Sequence, residues 1–423
     1  MATAGSSSSS PPSGSGLCIR CKEQPATLDL RTEPVCSICF AAFIHSKAIK
    51  RLEVLQRETR GQPTPSTTNP KTKPSSCSPP QRYLVALSLG PSSTALLRVL
   101  CENARRQKTR GGRGGVRPDL VVVHVDTSCV DGDPTSTTPS SEEPEAEDVL
   151  TPYRALFPEP AAYHVVRLSS VLRDPSLDWS ALPADRCANG DDDDARLRAL
   201  FARLPSPSAR ADVRRLLVRR ALLAAAAERA ATALLLGYST TALAELTLAE
   251  TAKGRGFGVP GAVNDGAVAV PTLNPPPEQG ERIVHVYSPL RELFRKELCA
   301  YLRTSSPAPL LALLGPSFAS PSAAPPASVV SHRDLSIDDV MARYFGEVEA
   351  AYPSVVANVV RTTGKLVLPE EEKGERGGED KECGLCGMGL DVEGSARWRG
   401  EIGEVGEEGV GKLCYGCERS VRG

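Results

Sequence analysis

Residues 83–103 read YLVALSLGPSSTALLRVLCEN. The apolar run Tyr83–Leu87 predicts a short buried strand, and Thr94–Asn103 carries a helical pattern. Between them lies a loop of mostly small residues, Ser88-Leu89-Gly90-Pro91-Ser92-Ser93. A strand, such a loop and a helix N-terminus supply what a phosphate site needs: backbone N–H groups and the positive end of a helix dipole. An ordinary strand–helix turn looks the same, so this stretch alone sets the order of elements and no chemistry.

The same alternation continues along the chain. Leu120–Val125 (LVVVHV) predicts a second buried strand, Tyr163–Leu168 a third, Thr232–Leu236 a fourth and Ile283–Tyr287 a fifth. Ala211–Ala231 and Thr241–Lys253 predict helices between them. Strands alternating with helices point to an α/β fold with a Rossmann-like parallel sheet covered on both faces.

Composition sets the surroundings of that core. The 423 residues include 35 Gly and 36 Pro, about a sixth of the chain, against a usual share of about 12%. The excess collects in segments expected to be disordered: the tail 1–16, the linker 61–81, the acidic insertion 127–148, the Ser/Pro/Ala-rich 304–334 and the Glu/Lys/Gly run 369–382. The expected organisation is a cysteine module and basic helix at 17–60, an α/β domain at 82–303, a helical extension at 335–368 and a second cysteine module at 383–423. Fifty Lys and Arg balance 51 Asp and Glu. A net charge of −1 excludes a uniformly basic coat for nucleic acid, though not a local basic patch. No run reaches the roughly 18 uncharged apolar residues of a membrane span. The first residues have neither a basic start nor an apolar core, so no secretory signal is expected and a reducing cytoplasmic setting is.

Thirteen cysteines then become a metal question. Cys18-x-x-Cys21 is followed after 14 residues by Cys36-x-x-Cys39, and Cys383-x-x-Cys386 after 27 residues by Cys414-x-x-Cys417. Each C-x-x-C turn brings two thiolates within reach of one ion, and two turns complete a tetrahedral zinc site. Two structural Zn2+ sites in zinc-ribbon modules are expected, closed by four protein ligands and without an open position for catalysis.

The loop at 88–93 resembles the Ser-Gly-Gly-x-Asp-Ser phosphate loop of the N-type ATP pyrophosphatases, PP-loop enzymes that adenylate tRNA bases. Ser88, Gly90 and Ser93 match; Leu89 stands for a glycine and Ser92 for the acidic residue, while Pro91 removes a backbone donor. A second stretch, Gly237-Tyr-Ser-Thr-Thr-Ala-Leu-Ala-Glu245, lies where active members carry an acidic pair. Ser239, Thr240 and Thr241 are hydroxyl residues there, and only Gly237 and Glu245 match. This form, followed by LAETAKGRG at Leu248–Gly256, resembles the cytoplasmic tRNA 2-thiolation protein 2 family. Cys18-Ile-Arg-Cys21, Cys36-Ser-Ile-Cys39-Phe40, Ser288-Pro-Leu-Arg-Glu-Leu-Phe-Arg-Lys-Glu297 and Tyr352-Pro-Ser-Val-Val agree with it.

The resemblance implies a subunit of the complex that thiolates C2 of the wobble uridine, forming 5-methoxycarbonylmethyl-2-thiouridine. An active PP-loop partner would adenylate the base, and a thiocarboxylated ubiquitin-related modifier would donate the sulfur. With both ATP motifs eroded, the expectation is a non-catalytic heterodimer partner with no catalytic residues of its own. Two other readings remain open: a self-sufficient tRNA-adenylating sulfurtransferase with a tolerant loop, and a zinc-module scaffold unrelated to RNA. For tRNA contact, the candidates are Arg214, Arg215, Arg219 and Arg220 on the predicted 211–231 helix, where residues four apart share a face. Such phosphate contacts position an RNA without reading its sequence.

Overall fold

A computed structural model describes residues 16–59, 81–109, 119–131, 148–183, 192–271, 281–305, 308–314, 335–367, 382–390 and 413–422. Most of the expected disordered segments lie outside the described residues.

The strands are β1 (Leu28–Leu30), β2 (Glu33–Val35), β3 (Arg82–Ala86), β4 (Asp119–Asp126), β5 (Ala162–Arg167), β6 (Ala233–Leu235), β7 (Gly266–Pro271) and β8 (Glu281–Tyr287). β1 and β2 pair alone, and the other six form one sheet in the order β5-β4-β3-β6-β8-β7. Every neighbouring pair in that sheet is parallel except β7 with β8. The five strands expected from sequence are all present. β7 was not expected: Gly-Ala-Val-Ala-Val-Pro carries little bulk, and its edge position asks for little, because only one side is paired.

Alternate residues of each strand feed two different cores, as a pleated sheet covered on both faces requires. Leu84, Val121, Val123 and Leu234 enter one core with the Pro207–Glu228 helix, and Cys383, Cys386, Cys414 and Cys417 belong to the same cluster. Tyr83, Val85, Val122 and Leu235 enter the other, which includes Cys18, Cys36 and the Ser37–Thr59 helix. The two cysteine modules thus bury their apolar residues against opposite faces of one sheet.

The N-terminal module is held by an arginine in an unfavourable turn. Arg31 and Thr32 join β1 to β2 with φ of 52° and 79°, left-handed values usually given to Asn or Gly in a two-residue hairpin. The turn aims Arg31 at Glu297 (Nε to Oε1, 2.8 Å) and the Glu292 carbonyl (2.8 Å), with its guanidinium over the rings of Phe43 and Phe294. Deeper in, His45 bonds Tyr301 Oη at 2.9 Å and pairs with Glu102, tying this helix to two others.

The other face is fastened by buried charge. Asp212, fully buried on the Pro207–Glu228 helix, accepts from Arg255 Nη2 (2.5 Å), Arg215 (3.1 Å), Lys253 (3.1 Å) and Ser420 Oγ (2.7 Å). Arg255 and Arg215 also reach Glu250, and Lys253 reaches Asp338 at 2.6 Å. Three carboxylates and three cations therefore balance, joining the Pro207–Glu228, Ile337–Ala351 and Tyr415–Arg422 helices to the turn after Thr240–Ala252. Burial alone would raise the Asp212 carboxyl, but Arg255, Lys253 and Arg215 outweigh it and hold it well below the usual carboxylate range. Glu250 is lowered too: burial opposes, and Arg215 and Arg255 prevail.

Asp212→Asn is expected to cost about 3–5 kcal/mol in urea unfolding, since it strands buried cations. A group with a depressed folded pKa stabilises above its unfolded value of about 4 and loses that contribution as pH falls toward the folded value. Wild-type stability should therefore drop steeply below about pH 4, and Asp212→Asn should flatten that drop. A variant with unchanged pH dependence would remove Asp212 from this role.

Candidate functional site

Parallel order fixes where the stretches 88–93 and 237–245 meet. β4 lies on one side of β3 and β6 on the other, so the chain leaves β3 in opposite directions across the sheet. Ligands of open α/β sheets bind at the carboxyl ends of strands beside such a reversal. Ser88–Ser93 follows β3 and Gly237–Thr241 follows β6, which places both at that crevice. They touch: a Cβ on Gly237 would lie 2.7 Å from Ser93 Cα and 2.9 Å from its nitrogen. Glycine is required there by close backbone approach.

The loop satisfies itself. Ser93 Oγ donates to the Gly90 carbonyl at 3.0 Å and lies 3.1 Å from Ser88 Oγ, while the Thr94 N–H takes the Gly90 carbonyl to begin the Pro91–Thr109 helix. Pro91 supplies no N–H. Leu89 has φ of 61°, the left-handed region where a residue with a Cβ is strained by about 1–2 kcal/mol. The backbone keeps the turn of a glycine loop although the glycine is gone. Ser92 is half-buried at the first turn of the helix.

The second stretch is also turned inward. Ser239 caps the Thr240–Ala252 helix, its Oγ accepting from the Ala242 N–H at 3.1 Å. Thr240 Oγ1 donates to the Arg291 carbonyl at 2.8 Å. Thr241 Oγ1 donates to Glu349 Oε2 at 2.7 Å and accepts the Arg295 N–H at 3.0 Å. All three residues are buried. Glu245 forms a two-pronged pair with Arg295, at 2.7 and 2.5 Å. These hydroxyls pin the helix to the 291–296 segment and to Glu349.

The cysteine groups are well formed. In each set, Cys18, Cys21, Cys36, Cys39 and Cys383, Cys386, Cys414, Cys417, the sulfurs all lie within 4.8 Å of one another, and the eight are free thiols. Cys21 and Cys36 are separated by 3.8 Å, Cys386 and Cys414 by 3.9 Å. Tetrahedral thiolate ligation at about 2.3 Å puts sulfurs about 3.8 Å apart, so the donors fit a metal such as zinc. Hydrogen bonds from Cys386, Cys414 and Cys417 hold the Cys383 thiol below its ordinary value.

The arginines of the Pro207–Glu228 helix divide. Arg215 belongs to the Asp212–Glu250 ion cluster. Arg219 donates to the Gly261 carbonyl at 3.2 Å, and Arg220 to the Leu385 carbonyl at 3.3 Å inside the C-terminal cysteine module. Arg214 is exposed. A helical wheel places Arg215 and Arg219 on one face, but it does not say that this face is covered by residues 250–262. The Arg215 guanidinium is held by two buried carboxylates, those of Asp212 and Glu250.

A family model described as cytoplasmic tRNA 2-thiolation protein 2 matches residues 336–405. A protein of that name from Phaeosphaeria nodorum is 34% identical over 96% of this chain and 95% of its own length. The chain belongs to the cytoplasmic tRNA 2-thiolation protein 2 family. The Pyrenophora tritici-repentis member is 32% identical over 96% of the chain and 94% of its own. Among solved structures, the U34-tRNA thiolase NcsA from Methanococcus maripaludis, with its [4Fe-4S] cluster, aligns over 93% of this chain and 98% of its own at 13% identity and a TM-score of 0.46. Among the described residues, no helix is long and apolar enough to cross a membrane.

Gly237→Ala is expected to destabilise the protein by about 1–3 kcal/mol, because the new carbon meets backbone that cannot swing away. Gly266→Ala, where a Cβ meets nothing within 4 Å, is the control. Equal melting temperatures for the two variants would contradict the close packing of the two motifs.

Proposed function

We propose that this chain is a non-catalytic, tRNA-binding subunit of the cytoplasmic complex that thiolates C2 of the wobble uridine. An active PP-loop subunit, its heterodimer partner, would adenylate the base, and a thiocarboxylated ubiquitin-related modifier would supply sulfur. Family membership supports the tRNA 2-thiolation role. The observation that carries the non-catalytic reading is the hydroxyl pair Thr240 and Thr241. Both are buried and give their protons to protein acceptors, so neither has a proton left to donate to a phosphate, and neither carries the negative charge that a carboxylate would offer a metal. Leu89 and Pro91 support the same reading at the phosphate loop, the first by adding a side chain and the second by deleting a donor. Ser88, Gly90, Ser92 and Ser93 then serve as a structural turn.

The two cysteine groups would each hold one Zn2+ structurally, with four protein thiolates and no place for a reacting ligand. For tRNA, the exposed Arg214 would bear on phosphate. Arg215, Arg219 and Arg220 would hold the helix and the C-terminal module in position beneath it.

Incubated with ATP and tRNA, the isolated metal-loaded chain should release no AMP or pyrophosphate above background. Robust turnover would support a self-sufficient adenylating enzyme instead. In the assembled complex, Arg214→Glu should weaken tRNA binding and lower the salt slope by about one; an identical slope removes Arg214 from the contact. Loss of salt-sensitive tRNA binding altogether in the wild-type complex would favour a scaffold without an RNA role. Cys18→Ala should lower bound zinc from two equivalents to one and expose the N-terminal module to protease.

A further inference from the structure

The segment Lys253-Gly254-Arg255 has no part in the phosphate loop or the tRNA surface, yet its contacts are unusually close. Gly254 turns the chain with φ of 83°, and a Cβ there would lie 2.7 Å from the Tyr415 ring. A Cβ on Gly416 would lie 2.5 Å from Arg255 Cγ and 2.6 Å from the Lys253 carbonyl. Two glycines, one on each side, thus let this turn lie flush against the knuckle Cys414-Tyr415-Gly416-Cys417. Across that contact Arg255 Nη1 donates to Cys417 Sγ at 3.8 Å. The same guanidinium holds Asp212 through Nη2 and Glu250 through Nε, and the side chain is 3% exposed. Two residues away, Lys253 Nζ grips Asp338 at the start of the Ile337–Ala351 helix, at 2.6 and 2.8 Å.

Four thiolates around a divalent cation leave a net charge of −2. A buried guanidinium donating to one sulfur offsets part of that charge and orients the ligand. We propose that Arg255 is the outer-sphere hydrogen-bond donor to Cys417 Sγ, a ligand of the metal held by Cys383, Cys386, Cys414 and Cys417, and that this metal thereby fixes the Ile337–Ala351 helix through Lys253 and Asp338. The inference rests on the reading of the cysteine group as a metal site. Arg255 is a positioning residue: it touches a ligand and not the ion. Without the metal the Cys414–Cys417 knuckle loses the tie that holds it flush against Gly254 and Arg255, loosening the turn and the Lys253–Asp338 link with it.

The test uses the full chain loaded with Co2+, whose thiolate-to-metal charge-transfer bands report on each sulfur, with metal release followed under excess chelator. Wild type should take two equivalents and release them in two phases. Arg255→Lys should shift the charge-transfer band and speed one phase by about 10-fold or more, leaving the other unchanged. Asp338→Asn, which spares the Lys253–Asp212 bond, should leave both phases and the band as in wild type but open the Ile337–Ala351 helix to protease, and stripping the metal from wild type should open the same helix. Unaltered band and phases in Arg255→Lys, with two equivalents bound, would overturn the assignment. So would an Asp338→Asn chain that releases metal as fast as Arg255→Lys, since the effect would then belong to the ion cluster at large. Continued protection of the helix in stripped wild type would overturn the coupling. Fewer than two equivalents in wild type would sink the metal reading itself, and the inference with it.

Discussion

Everything on one side of the sheet depends on Asp212. Its carboxylate, buried between three cations and the Ser420 hydroxyl, is the point where the long Pro207–Glu228 helix, the turn at 253–255, the Ile337–Ala351 helix and the C-terminal helix meet. A buried ion cluster adds little net stability relative to a well-packed apolar core, but breaking one member is expensive. The six charges come from three stretches of chain, 212–215, 250–255 and 338, and each finds an opposite charge only when those stretches dock together. The N-terminal side uses the same device more sparingly, with Arg31 reaching Glu297 from a strained hairpin.

The crevice at the carboxyl ends of the central strands is tied into the same framework. The sheet still presents two loops at the carboxyl ends of β3 and β6, and Gly237 still lets them touch. Thr240 and Thr241 bond to Arg291, Arg295 and Glu349, so the 291–296 segment and the helical extension are pinned beside these loops. The hydroxyls at the carboxyl end of β6 hold the protein's own parts together, which is what the proposed structural role in tRNA 2-thiolation requires.

Much of the fold was legible in the residues. Continuous apolar runs such as LVVVHV announce strands buried on both faces, and the two pairs of C-x-x-C turns announce four-sulfur groups. Strand β7 was not legible, because an edge strand of small residues needs neither bulk nor alternation. The surroundings of the arginine helix were not legible for a related reason. Helical spacing shows which residues share a face, but whether that face meets water or Glu250 is a tertiary fact. Arg215 and Arg255 look alike in sequence to any surface cation; only the carboxylates brought in from afar distinguish them. The glycines of LAETAKGRG and of Cys414-Tyr-Gly-Cys417 carried a signal in plain view, since a paired loss of Cβ marks close backbone approach.

The account turns on the crevice being structural. The most direct measurement is the level of wobble 2-thiouridine, read on mercury gels, in cells lacking this protein and complemented with Ser88→Ala/Ser92→Ala, which removes loop hydroxyls without touching the buried pins. Thiolation should be absent in the deletion strain and return to the wild-type level with the loop variant. A loop variant that accumulates normally yet leaves the tRNA unthiolated would contradict the account.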